Sequence, residues 1–324
     1  MRLDLVVPRY KEPWDVCKYL FDSIAIQRGI DFDDIRVLVI NDGDENVLDA
    51  YAWRDYPYRV DYIIKPHGGV SHTRNVGIDE SDADYIMFCD IDDGFLNNYG
   101  LHLVFSAMQE HPKMITSCFV EEVKTDTWLI VRHDKDPTFI HGKAYDRKWL
   151  VENNIRFDDD LTLHEDSYFN NIAIAHAKDD RKDITTPFYL WRWNDASTVR
   201  RESGNFLLKT YPKLVQVRTR ICEEMKSRGF EDAYKLCMVK SVTDFYYDFQ
   251  KPDFNRTENR RDIKEAEKAV RTFYMAHQKE FLRVERGYIA DVCQSSRDIA
   301  RRNGFLMEYK TLQDWLKHIE YEVK

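Results

Sequence analysis

Three times within residues 1–93 a continuous apolar run stops at polar or acidic residues: "LDLVVP" at 3–8, "IRVLVIND" at 35–42 and "YIMFCDIDD" at 85–93. A run without polar alternation suits a strand covered on both faces, as in a parallel sheet. Helical signals fall between these runs. Residues 13–28 place Val16, Leu20, Ser23, Ile24 and Gln27 on one stripe, with Pro13 near the first turn and Gly29 just past the end. "VDYIIK" (60–65) reads as a further strand, and "PHGGVSHTRNVGIDES" (66–81) as a glycine-bearing turn opening a helix. Alternating strands and helices describe an open α/β sheet, whose ligands sit beyond the carboxyl ends of the strands. The loops after Val7, Ile40 and Cys89 are therefore expected to converge.

The third run ends in three crowded carboxylates, Asp90, Asp92 and Asp93, which repel one another unless water or a cation offsets them. Alternate residues of an extended segment face the same way, so Asp90 and Asp92 can address one point, and oxygen ligands suit Mg²⁺ or Mn²⁺. Spacing alone leaves open a plain acidic turn closing at Gly94.

With 324 residues the chain is long for one core. From about residue 206 the apolar spacing becomes helical: Leu207, Tyr211, Leu214, Ile221 and Met225, then Met238, Val242, Phe245 and Phe249, and finally Leu312, Trp315, Leu316 and Ile319. Two domains are expected, 1–205 and 206–324, with a polar loop at 250–262. The formal charge of −9 disfavours non-specific attraction to nucleic acid or anionic lipid. Six scattered cysteines without a CxxC pair read as reduced and structural. Neither a secretory signal nor an apolar span of about 18 residues is present, so the expected address is cytoplasmic, with a peripheral position at a membrane as a second. Dinucleotide and P-loop fingerprints are missing.

In order, "VVPRYKE", "VINDGDEN", "GGVSHTRNVGI", "YIMFCDIDD", "GKAYDRKWLVENNIRFDDDLTLHED" and "RWNDAST" resemble the motifs of family 2 glycosyltransferases, over about the first two-thirds of the chain. The resemblance implies a GT-A fold, a Rossmann-like, open, mostly parallel α/β sheet flanked by helices, here followed by a helical C-terminal region. It also implies inverting transfer from a nucleotide-sugar, with UDP the expected nucleotide, to an acceptor hydroxyl on a glycan, lipid-linked, protein or nucleic acid acceptor.

Carried over residue by residue, Asp166 would be the general base and Glu165 its neighbour orienting the site. Asp92, Asp90 and His164 would hold Mn²⁺ or Mg²⁺. The nucleotide-sugar would meet Pro8, Tyr10, Glu12, Asp42, Gly69, Arg74, Asp90, Ile91, Arg192 and Ser197, with Asp42 reading the base and Arg74 the phosphates. His141, Gly142 and Lys143 open the "HGKAY" motif, which in the family it resembles precedes the acceptor-side helix. The sequence departs from the family at Asn41-Asp42-Gly43-Asp44, where Asp-Asp-Gly-Ser is usual, and at Lys11, where Asn is common. A sugar nucleotidyltransferase, or a catalytically silent nucleotide- or carbohydrate-binding module, are the rival readings; the C-terminal helices could serve a homo-oligomer.

Overall fold

The computed structural model describes residues 1–134, 136–195, 206–302 and 310–323. The chain divides into two compact units, Met1–Asp195 and Ala196–Lys324.

In the first unit the apolar runs become strands β1 (Leu3–Arg9), β2 (Ile35–Asp42), β3 (Arg59–Lys65) and β4 (Tyr85–Phe88). They pair in parallel in the order β3-β2-β1-β4. Beyond them stand β5 (Gly94–Phe95), β6 (Met114–Lys124), β7 (Trp128–His133), β8 (Ala144–Asp146) and β9 (Arg181–Trp191), which extend the order as β4-β8-β6-β9-β5 with β7 hairpinned onto β6. Here the pairing is mixed: β6 and β9 run parallel, while β8, β7 and β5 join their neighbours antiparallel. The parallel character read from the apolar runs thus holds for the first four strands. β2 also continues past Ile40, because Asn41 and Asp42 still pair with Ile64 and Lys65.

The helices are α1 (Trp14–Ala25), α2 (Gly69–Glu80), α3 (Gly100–Met108), α4 (Arg147–Glu152) and α5 (Glu165–Ala177). Of the stripe expected on α1, Leu20, Ser23 and Ile24 are buried, joined by Cys17 and Phe21, and Gln27 is buried just beyond the helix end. Apolar side chains of β1, β2 and β4 form the middle of the core, with Leu5, Val7, Val37, Val39 and Met87 fully or almost fully covered. One glycine fixes how closely α2 approaches the sheet: a Cβ at Gly77 would lie 2.2 Å from Val6 Cγ1. That close approach carries the start of α2, and Arg74 one turn further, to the carboxyl ends of β2 and β4.

The second unit is helical: α6 (Phe206–Ser227), α7 (Glu231–Asp248), α8 (Arg260–Phe281), α9 (Arg286–Arg302) and α10 (Leu312–Tyr321). Tyr211 and Phe245 pack edge to face, as do Phe245 and Phe273, and the Tyr211 hydroxyl donates to Asp248 at 2.9 Å. α8 starts inside the stretch expected to be a loop, and α9 lies in a part of the expected helical region for which no apolar stripe was named. All six cysteines are free, five of them buried. Among the described residues no helix is long and apolar enough to cross a membrane.

Candidate active site

Convergence of the loops starts with a buried ion pair. Arg9, at the end of β1, reaches Asp44 beyond β2 at 2.9 Å, and both side chains are almost fully covered. Its Nε also donates to the Glu12 carbonyl at 3.0 Å, which shapes the exit loop of β1. Glu12 closes that loop by accepting the Tyr10 N–H at 2.6 Å; burial raises its carboxyl, and the charge of Asp92 adds to the rise.

Each carboxylate after β4 has a different environment. Asp90 accepts from Arg74 Nη2 at 2.9 Å, and this guanidinium holds its carboxyl down against the opposing effect of burial. Asp92 turns to Asn194, whose Nδ2 donates at 2.7 Å; burial and then Asp90 push its carboxyl up. Asp93 is buried, accepts from the Tyr189 hydroxyl at 2.8 Å and from the Arg192 N–H at 3.0 Å, and is driven well above the usual carboxylate range by burial, Asp90 and Asp92. The Tyr189 hydroxyl in turn accepts the Asp90 N–H at 3.1 Å, so one phenol links two of the three acids.

Among the described residues, Asp90, Asp93 and His141 form the one group of three whose ligating atoms lie within 4.8 Å of one another. His141 is stacked with Phe139 and Tyr189 and packed against Trp191. Burial pulls its imidazole down to about 4, leaving it neutral with a lone pair available. Its buried Nδ1 makes no hydrogen bond and lies 3.7 Å from Asp93 Oδ2. Two carboxylates and a neutral imidazole with an unsatisfied nitrogen fit a divalent cation. The expected set of Asp92, Asp90 and His164 is not the one gathered here. Asp92 gives a carboxylate oxygen to Asn194, and His164 stands in a left-handed conformation (φ 60°) ahead of α5. Three adjacent carboxylates in a sequence do not reveal which of them turns inward.

Arg74 ties these acids to α5. It is almost fully buried, and its second nitrogen, Nη1, donates to Glu165 at 2.7 Å. Although burial works against its charge, Asp90, Glu165 and Asp166 together raise its affinity for the proton. Both terminal nitrogens are therefore committed to carboxylates, and a phosphate would have to compete with Asp90 and Glu165 for them. Asp166 sits in the first turn of α5 and accepts the Ser167 N–H at 2.8 Å. Burial, reinforced by Glu165, raises its carboxyl to about 8, with Arg74 opposing. A carboxyl in that range can take a proton near neutral pH, which suits a general base. Lys143, also buried, is brought down to about 8 by burial and donates to the Phe139 carbonyl.

Two strands away on the same carboxyl edge, Asp42 at the end of β2 spends its acceptor capacity on the chain. Oδ1 takes Lys65 Nζ and the Gly68 N–H (2.8 Å), while Oδ2 takes the Gly69 N–H (2.9 Å) and faces His67 Nδ1 at 2.8 Å. Three donors hold that carboxylate, while His67 Nδ1 hydrogen-bonds to the Asp42 carbonyl at 3.1 Å and stands beside Oδ2, so a nucleobase that reaches Oδ2 must displace the imidazole. Tyr10 is 40% exposed and stacks on His67. Pro8 lies within β1, and Gly69 has φ +85° with open space where a Cβ would project. Ile91 is a core side chain, 3% exposed, and offers no side-chain surface to a ligand. Arg192 places its guanidinium 3.8 Å over the Tyr19 ring and donates to the Asp92 carbonyl at 3.3 Å. Ser197 lies outside the described residues. Sequence reading passed over Lys65, His67, Tyr189 and Asn194; the aromatic run "FYLWRW" was the available signal for Tyr189.

The family described as Glycosyl transferase family 2 matches residues 4–169. The minor teichoic acid biosynthesis protein GgaB of Bacillus subtilis (strain 168) is 28% identical over 186 residues, 51% of this chain and 20% of that protein. The uncharacterized glycosyltransferase EpsJ of the same strain is 27% identical over 221 residues, 60% of this chain and 62% of EpsJ. The chain thus covers less than two-thirds of either relative. In three dimensions it is similar to S. aureus TarS 1-349 in complex with UDP-GlcNAc, with a TM-score of 0.67 at 16% identity, over 99% of this chain and 93% of that one. With more than half of its length matched by the family, including every strand-end acid and both acids that open α5, this chain belongs to glycosyl transferase family 2.

Proposed function

We propose that the protein transfers a sugar from a UDP-sugar to an acceptor hydroxyl with inversion at the anomeric carbon, assisted by a divalent cation. The observation that carries this reading is the Arg74 fork, with Asp90 on one nitrogen and Glu165 on the other. Through it the strand-end acids are tied to the first turn of α5, which carries the raised carboxyl of Asp166, and a single in-line displacement needs that pairing of a leaving-group side with a base side.

Asp166, once deprotonated, accepts the hydroxyl proton of the acceptor as that oxygen attacks, and Glu165 with Arg74 fixes the position of the first turn of α5. Asp90, Asp93 and His141 would hold Mg²⁺ or Mn²⁺, which when bound neutralises charge on the departing diphosphate. Arg192, braced on Tyr19 and Asp92, adds a fixed positive charge on the same side. UDP is the first nucleotide to try because TarS, whose fold is similar, has been solved with UDP-GlcNAc.

A panel of UDP- and GDP-sugars with Mn²⁺, read by nucleoside diphosphate release and by the anomeric configuration of the product, tests the proposal. Retained configuration would refute inversion, and undiminished turnover in Asp166→Asn would remove Asp166 from its role.

A further inference from the structure

Three donors hold the Asp42 carboxylate in place. Lys65 is buried, and the N–H groups of Gly68 and Gly69 belong to the backbone at the start of α2. His67 differs, with a side chain 60% exposed. Its Nδ1 is 2.8 Å from Asp42 Oδ2 and 3.1 Å from the Asp42 carbonyl oxygen. Both are acceptors, so Nδ1 carries the hydrogen. The imidazole lies against Tyr10 with ring centroids 4.7 Å apart and planes 24° apart. Rings in contact stand about 4.5–7 Å apart, so no third ring fits between this pair.

Resting on the nucleotide-sugar reading above, we propose that His67 holds the seat the nucleobase takes, so that imidazole and base compete for the face of Tyr10 and for Asp42 Oδ2. His67 is then a specificity-determining residue. Its ring shows what the seat accepts: a flat ring of modest size with an N–H in its plane at the edge where Asp42 presents its carbonyl oxygen and, beside it, Oδ2. Uracil, with its imide N–H, meets both conditions. Cytosine and adenine present a ring-nitrogen lone pair at the corresponding edge, which the carboxylate repels. Each bound uracil must also displace His67, which lowers the apparent affinity by the population of the seated imidazole.

Calorimetric titration of the full chain and of His67→Ala with uridine, N3-methyluridine, cytidine and UDP tests this. His67→Ala is expected to bind uridine roughly five-fold more tightly or better, the worth of one hydrogen bond and one ring contact. Millimolar imidazole should compete with uridine in the variant, and N3-methyluridine and cytidine should bind poorly to both proteins. Equal or weaker uridine binding by His67→Ala would overturn the proposal, because the imidazole would then be idle or a partner of the base. If neither protein bound uridine or UDP with Mn²⁺ present, the donor reading itself would fall; UDP binding that is unaltered by His67→Ala would sink only the role given to His67.

Discussion

Asp166 exposes a conflict between stability and catalysis that can be measured without any substrate. Its carboxyl has a folded-state value of about 8 against an ordinary 3.8, because burial and Glu165 disfavour the charge. The folded state therefore keeps a proton on Asp166 through a pH window in which the unfolded chain has lost it. Stability falls as pH rises from about 4, and the loss levels off above about 8. At pH 7 the full shift would correspond to roughly 4 kcal/mol by linkage, and solvent around a half-buried carboxyl reduces that to about 1–3 kcal/mol.

Asp166→Asn removes the charge and keeps an Oδ1 that can accept the Ser167 N–H. It should stabilise the first unit by about 1–3 kcal/mol at pH 8, or roughly 3–10 °C in Tm, and by almost nothing at pH 4. Six of the seven tryptophans, Trp14, Trp53, Trp128, Trp149, Trp191 and Trp193, lie in that unit, so urea unfolding followed by tryptophan fluorescence in EDTA reports on it selectively. A difference between variant and parent that stayed constant from pH 4 to 8, or a variant less stable at pH 8, would refute the reasoning that the fold disfavours the charge on Asp166.

Other perturbations test separate parts of the structure. If Asp166 is the base, kcat/KM should climb with pH up to about 8 and then level off, since the deprotonated form is the active one; a profile flat from pH 6 to 9 would contradict this. Tyr189→Phe leaves the Asp90 N–H and the buried Asp93 carboxyl each short of a partner and should cost about 1–3 kcal/mol in urea unfolding; a loss below about 0.5 kcal/mol would show that the phenol is dispensable. His141→Ala should weaken Mn²⁺ binding by roughly ten-fold or more, whereas His164→Ala should leave it unchanged; the reverse result in calorimetry would favour the ligand set expected from sequence. Gly77→Ala drives a methyl into Val6 and should destabilise by about 1–3 kcal/mol, with Val6→Ala added to Gly77→Ala recovering part of the loss.

What could be read in the sequence follows from how local each signal is. The runs that became β1, β2 and β4 carry their burial on both faces in consecutive residues, so their apolar continuity suffices. β8 has three residues and β5 two, and both are held by partners far along the chain, which no window of residues records. α8 is a different case. Ala266, Val270, Phe273, Tyr274, His277 and Phe281 are buried at helical spacing, but the charged stretch that begins the helix looks like a loop when the stripe behind it is not counted. In the site, sequence located the acids but not the direction each one faces. Asp92 and Asp93 are neighbours, but partners about a hundred positions away separate them: the Tyr189 phenol and the Arg192 N–H hold Asp93 beside His141, while the Asn194 amide takes Asp92.

The same distinction explains why Arg74 and Asp42 differ from their simplest reading. A buried arginine and a buried aspartate must satisfy their charges inside the fold, and each finds its partners in this chain: two carboxylates for the guanidinium, three donors for the carboxylate. Binding at such positions is exchange, in which a ligand has to offer at least what the displaced group provided. Arg74 is almost fully buried, and removing it would strand Asp90 and Glu165 without their shared counter-charge. Asp42 has one exposed neighbour, the imidazole of His67, and under the proposal above it is that ring which a ligand exchanges with.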